Sequence, residues 1–249
     1  MKHPILLLIL ALLAATPSPA QDASSPLPPL PKYTVHRAAK GPGLSAFSVA
    51  AWAKAGKIVW GPANARTTFR ALWAGDGLWL RFDVEDPSPW HTMTKRDEHL
   101  WEEEVVEIFI DTDGGGKHYG EYEINPANVL CDLDMAQGWP KVTGDITWDH
   151  QGLASAVEKR KASGADPGGW TAILHLPWEG FASLEPVKAG RAKAPPKAGD
   201  VWRANLFRIK RPGGPSAPAK DAVFAAWSPS GKTTFHFPPR FGYFRFAAN

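Results

Sequence analysis

Glu107, Glu121, Glu123 and Asn125 fall at alternate positions of two short segments, and Trp101 stands just ahead of the first. In extended chain, alternate residues share one side of a sheet, so Glu121, Glu123 and Asn125 line one face, with Glu107 beside them. Carboxylates and an amide oxygen are directional acceptors for hydroxyl donors. An indole offers a flat apolar surface for the C–H face of a sugar ring. Like charges across two strands destabilise their pairing. An Arg or Lys, a cation, solvent or a hydroxyl-rich ligand must therefore offset the repulsion. The same residues also suit an ordinary solvated sheet face with Trp101 capping the core.

These residues sit on predicted strands. In residues 78–84, Leu78, Leu80, Phe82 and Val84 alternate with Trp79, Arg81 and Asp83, the period of a half-buried strand. Residues 67–73 precede them across the turn-like Ala74-Gly75-Asp76-Gly77, which predicts a hairpin. Val106, Ile108 and Ile110 form the apolar face of a strand over 105–110, which Tyr122 and Ile124 can join from the next. Between them lies the glycine-rich turn Asp111-Thr112-Asp113-Gly114-Gly115-Gly116-Lys117. Further strands are predicted at 119–125, 129–134, 154–161, 170–176, 201–209, 222–227 and 241–246, with one helical turn near 178–184. Many short strands between turn signals indicate an all-β fold, an antiparallel β-sandwich of jelly-roll type.

The chain has 249 residues. Met1, Lys2 and His3 lead into an apolar run, Ile5 to Ala15, and then Ser18-Pro19-Ala20. That order is the layout of a cleaved secretory leader, and the apolar run is too short to span a bilayer. The expected organisation is a leader over 1–20, a proline-rich linker over 21–32 and one domain over 33–249. The mature chain is expected to be secreted or periplasmic, without a membrane span, and monomeric. The net charge of +3 with mixed signs points to neither nucleic acid nor an anionic membrane as partner. A single cysteine, Cys131, excludes an intrachain disulfide and a four-cysteine zinc site.

Beyond residue types, the chain resembles the family 9 carbohydrate-binding modules. The resemblance rests on Trp79-Leu80-Arg81-Phe82-Asp83-Val84-Glu85-Asp86, on the run from Leu100 through Val105-Val106-Glu107-Ile108-Phe109-Ile110-Asp111, and on Tyr122-Glu123-Ile124-Asn125. Ala226-Trp227-Ser228 and the stretch from Phe235 to Gly242 also fit. The resemblance implies a non-catalytic sandwich that binds a sugar, in characterised members the reducing end of a glucan or xylan, between two aromatic rings. Trp101 matches the first ring. Phe235, six residues before Phe241, stands where the binders carry Trp and offers a smaller platform. Glu107 matches a carboxylate that bonds sugar hydroxyls, and Asn125 a polar contact. Glu123 falls where a characterised binder has Arg, which points to a different sugar or to none. Arg81 is a further candidate contact.

The resemblance requires no cofactor but implies structural calcium, for which Asp111 and Asp113 are candidate hard-oxygen ligands. Two other functions compete. A glycoside hydrolase or lyase would use two of the carboxylates among Glu102, Glu103, Glu104, Glu107, Glu121 and Glu123. A haem or electron-transfer domain would need Met93, Met135 or a histidine as axial ligand, in a chain without a Cys-x-x-Cys-His motif.

Overall fold

The computed structural model describes residues 26–248. The expected leader and its cleavage point at Ala20 lie outside the described residues. The strands are β1 (Lys32–Arg37), β2 (Ile58–Trp60), β3 (Thr67–Trp73), β4 (Gly77–Glu85), β5 (Val105–Asp111), β6 (Tyr119–Ile124) and β7 (Leu130–Gln137). They continue as β8 (Thr143–Asp145), β9 (Ala154–Arg160), β10 (Gly169–Pro177), β11 (Val201–Lys210), β12 (Val223–Ala226) and β13 (Gly242–Ala247). Two one-turn helices, α1 (Trp178–Phe181) and α2 (Glu185–Lys188), follow β10. No helix among the described residues is long and apolar enough to cross a membrane.

The strands hydrogen-bond in the order β8-β7-β6-β5-β11-β13-β1-β3-β4-β10-β9, with β12 added on β11 and β2 on β3. The ribbon curls until its two halves face each other. Val106, Ile108 and Ile110 of β5 then share one core with Leu80, Phe82 and Val84 of β4 and with Trp170, Ala172 and Leu174 of β10. The fold is the expected β-sandwich, but its sheet is mixed rather than purely antiparallel. β1 runs parallel to both β13 and β3. Only Tyr33 and Val35 of β1 are buried, too few apolar positions to announce a strand by themselves. β8 consists of Thr143, Gly144 and Asp145 and is defined only by its pairing to β7.

Each half is also covered on its outer face. Over β4 and β10, Trp52 packs with Leu72, Trp79 and Ile173. Over the β7-β6-β5-β11 half, a second cluster contains Phe109, Tyr119, Cys131, Leu133, Met135, Phe207 and Ile209. Its cover comes from two distant segments, which bring Met93, Leu100 and Trp101 from one side and Phe224, Phe235 and Phe241 from the other. This half is therefore buried on both faces.

The start of β10 has a strict backbone requirement. Gly169 has φ +144, and a Cβ there would lie 1.9 Å from the Val84 carbonyl oxygen. Only glycine adopts this conformation without strain. Gly169→Ala is expected to destabilise the fold by about 2 kcal/mol or more. An unchanged urea midpoint would contradict this placement of β10 against β4.

Candidate binding site

Cross-strand register brings the acidic residues together. Glu107 of β5 lies directly opposite Glu123 of β6, and Glu121 is one alternate position along. One oxygen from each of Glu107, Glu121 and Glu123 can be chosen so that all three lie within 4.8 Å of one another. This face is not solvated: the three residues are 2 %, 4 % and 0 % exposed. Glu107 Oε1, Glu121 Oε2 and both oxygens of Glu123 are buried without a hydrogen-bond donor.

Burial dominates their protonation. It pushes Glu121 up to about 7. It pushes Glu107 and Glu123 well above the ordinary carboxylate range, and the neighbouring carboxylates push them further. The Trp101 backbone N–H aims at Glu123 and offsets part of that, without completing a hydrogen bond. The nearest titratable ring, His236, has Nδ1 3.8 Å from Glu121 Oε2. Burial lowers His236 to about 4, so it is neutral at pH 7 and supplies no countercharge. Its ring stacks on Phe109 at 4.9 Å, and its Nδ1 meets the Tyr119 hydroxyl at 3.1 Å.

Two segments hold the aromatic cover in place. Trp101 sits on a single turn, Leu100–Glu102, anchored by the fully buried Leu100. The Glu103 carboxylate accepts the backbone N–H groups of Thr92 and Met93 and the Thr92 hydroxyl, tying the preceding loop to this turn. Arg211 donates to the Trp101 carbonyl at 3.2 Å. The half-buried Trp101 ring stacks on His99 at 4.5 Å. On the other side, Asn205 of β11 donates to the Ser228 carbonyl and accepts its N–H, pinning the start of the second segment. The Trp139 N–H then bonds the His236 carbonyl at 2.6 Å. Phe235 lies flat on Phe207, centroids 4.2 Å apart and planes 18° apart. Phe207 is the β11 residue opposite Glu107. Both expected rings pack against the outer apolar cluster beside the acidic floor, and one face of Phe235 is already taken up by Phe207.

Other expected residues are placed differently. Arg81 lies on the outer face of β4, across the core from Glu107. Its guanidinium bonds Asp83 and the Ala46 and Phe47 carbonyls. Alternation identified the side of its own strand but not which half of the sandwich that strand joins. Asn125 lies at the edge of the acidic face, committed to a turn. Its oxygen accepts the Ala127 and Val129 N–H groups, and its amide donates to the Met93 carbonyl. Asp111 accepts from Gly114 and Gly116, while Asp113 accepts from Gly115 and from Arg191. A guanidinium 2.8 Å from Asp113 occupies the place a cation would take, so this pair does not fit a calcium site. Glu121 was not among the expected contacts, although the alternation had already put it on this face. The candidate haem ligands Met93 and Met135 both pack in the outer apolar cluster.

Comparisons with known proteins bear on the family and the fold. Residues 41–188 match the family described as Carbohydrate family 9 binding domain-like. No curated protein matches the chain. Among solved structures, a Bacteroides uniformis protein whose carbohydrate-binding role is an assignment superposes with a TM-score of 0.63 at 16% identity, covering 86% of this chain and 98% of its own. A family 9 carbohydrate-binding module from Caldicellulosiruptor kristjanssonii in complex with cellotriose gives 0.56 at 13% identity, with 88% and 95% covered. Its complex with glucose gives 0.58 at 13% identity, with 88% and 97% covered. At these identities the likeness is one of fold.

The acidic floor has a pH signature. Glu121 moves from 4.5 unfolded to about 7 folded. The stability it contributes is complete below pH 4.5 and is lost as pH rises through 7. His236, depressed from 6.5 to about 4, acts in the opposite sense and loses stability as pH falls through 4. Comparing wild type with Glu121→Gln removes this carboxyl together with its push on Glu107 and Glu123. In metal-free buffer, the wild type should lose about 2–3 kcal/mol relative to the variant between pH 4.5 and 7, and the difference should be flat above. A difference independent of pH would mean that Glu121 is an ordinary solvated carboxylate.

Proposed function

This chain belongs to the Carbohydrate family 9 binding domain-like family, and we propose that it is an exported, non-catalytic module that binds a sugar between Trp101 and Phe235, over Glu107, Glu121 and Glu123. The observation that carries this reading is a floor of buried acceptor oxygens without donors, bordered by two half-exposed aromatic rings. A sugar ring offers the complement to both, since its hydroxyls donate to the carboxylates and its C–H face packs on the rings. The complexes of the Caldicellulosiruptor module with cellotriose and glucose support a glucan-type ligand. The secretory layout of residues 1–20 supports export.

With the cover as it stands, the floor is sealed. A ligand reaches the carboxylates once the Phe235 ring swings off Phe207, a side-chain rotation that leaves the pinned backbone in place. Binding therefore exchanges one aromatic contact for another. Asn125 and Arg81 act structurally in this reading, the first as a turn cap and the second as a clamp on the loop at Ala46 and Phe47. The match to a family of binding domains supports a non-catalytic role.

Titrating the protein with glucose, xylose and their oligomers while following tryptophan fluorescence tests the proposal. Trp101→Ala should weaken the response at least about tenfold with an unchanged circular dichroism spectrum. Phe235→Trp should tighten it several-fold by enlarging the platform. Binding that survives Trp101→Ala intact would rule out this site.

A further inference from the structure

The two faces of the β5-β11 pair treat charge differently. On the core face, the Arg208 guanidinium and the Lys210 ammonium meet the Asp86 and Glu104 carboxylates at 2.7–3.3 Å, two cations against two anions. On the outer face, Glu107, Glu121 and Glu123 form no ion pair with an Arg or Lys, and only the charge of Arg208, from across the sheet, reaches Glu107. Arg211, a cation of the cover, donates to the Trp101 carbonyl and lies toward Glu102 and Glu103. β7 contributes Cys131, Leu133 and Met135, β11 contributes Phe207 and Ile209, and the cover contributes Trp101, Phe235 and Phe241. His236 is neutral at pH 7, and the Tyr119 hydroxyl bonds it rather than a carboxylate. Arg208 is committed across the sheet. Sugar hydroxyls satisfy hydrogen bonds but bring no positive charge to this face.

We propose that Glu107, Glu121 and Glu123 form a binding site for a hard divalent cation, with calcium as the first candidate. The geometry fits. The three oxygens lie within 4.8 Å of one another, so a point between them stands at most about 2.8 Å from each, within a small adjustment of the about 2.3–2.6 Å of calcium–oxygen bonds. The donor census points the same way independently of the clustering. Glu123 is fully buried, and both its oxygens lack a donor. That is costly for an isolated carboxylate and ordinary for a metal ligand. An all-oxygen set selects calcium, manganese or magnesium over softer metals. The Asp111–Asp113 turn, the other cluster of hard donors, is already neutralised by its own amides and by Arg191. The cation site does not depend on a sugar being bound.

The test uses the purified full chain, stripped with chelator and studied without sugar. Calcium chloride should raise the melting temperature by about 5–10 °C at a hundredfold excess over Kd. Terbium should bind at the same site and luminesce on excitation of tryptophan. Glu123→Gln and Glu107→Gln should abolish both responses. In chelator the same variants should melt within a few degrees of wild type, so that their loss of response reports the site rather than the fold. Asp113→Asn should keep the calcium response. A folded wild type that shows neither response overturns the proposal. So does a response that survives both glutamine variants, or one that Asp113→Asn alone removes. Since no sugar is present, failure of the cation site leaves the carbohydrate reading standing, and Trp101→Ala tests that reading separately.

Discussion

A sheet covered on both faces cannot leave charge on either without compensation, and the β7-β6-β5-β11 half is covered on both. In an ordinary antiparallel sandwich the outer face meets water, and carboxylates there need no partner. Here the segments around Leu100 and Phe235 close over that face, and the same alternation that buries Ile108 inward buries Glu107 outward. The position of the candidate site follows from this double burial. Acceptors are concentrated where water is excluded, beside rings that remain half exposed.

The cover is itself assembled from polar contacts at its ends and apolar ones in its middle. Glu103 gathers the loop at Thr92 and Met93, Arg211 holds the Trp101 carbonyl, and Asn205 holds Ser228 from within β11. Between those anchors the rings rest on other rings: Trp101 on His99, Phe235 on Phe207, His236 on Phe109. Backbone anchors with aromatic contacts between them give a surface whose side chains can reorient while its frame holds still. That division suits a site whose floor is closed in the free protein.

Much of this was legible in the residues. Alternation over 105–111 and 119–124 placed Val106, Ile108, Ile110, Tyr122 and Ile124 in the core and set Glu107 beside Glu123, since period two assigns a face unambiguously. It could not say that the opposite face would be covered, because the cover comes from segments more than a hundred residues apart in the chain. For the same reason Arg81 read as a neighbour of the site. Its strand alternates as β5 does, but only tertiary pairing decides which half a strand joins. Asn125, Asp111 and Asp113 carry a second demand that alternation does not show. Short polar side chains in turns bond their own backbone two to five residues on, and that local demand met them before any ligand could. The short β1 and β8 were illegible because pairing, rather than their own apolar pattern, makes them strands.

The parallel pairing of the first strand with the last has a mechanical meaning. β1 begins at Lys32 beside Tyr243 and runs in the same direction as β13, which ends at Ala247 beside His36. The chain thus enters at one end of this strand pair and leaves at the other. Tension applied through both ends pulls β1 and β13 in opposite directions along their common axis, so their registered pairs are loaded in shear, all together rather than one after another. A module with this geometry can sit in line between two tethered bodies and transmit force through its terminal strands, while the acidic floor on β5 and β6, with β11 between it and β13, stays off the line of load.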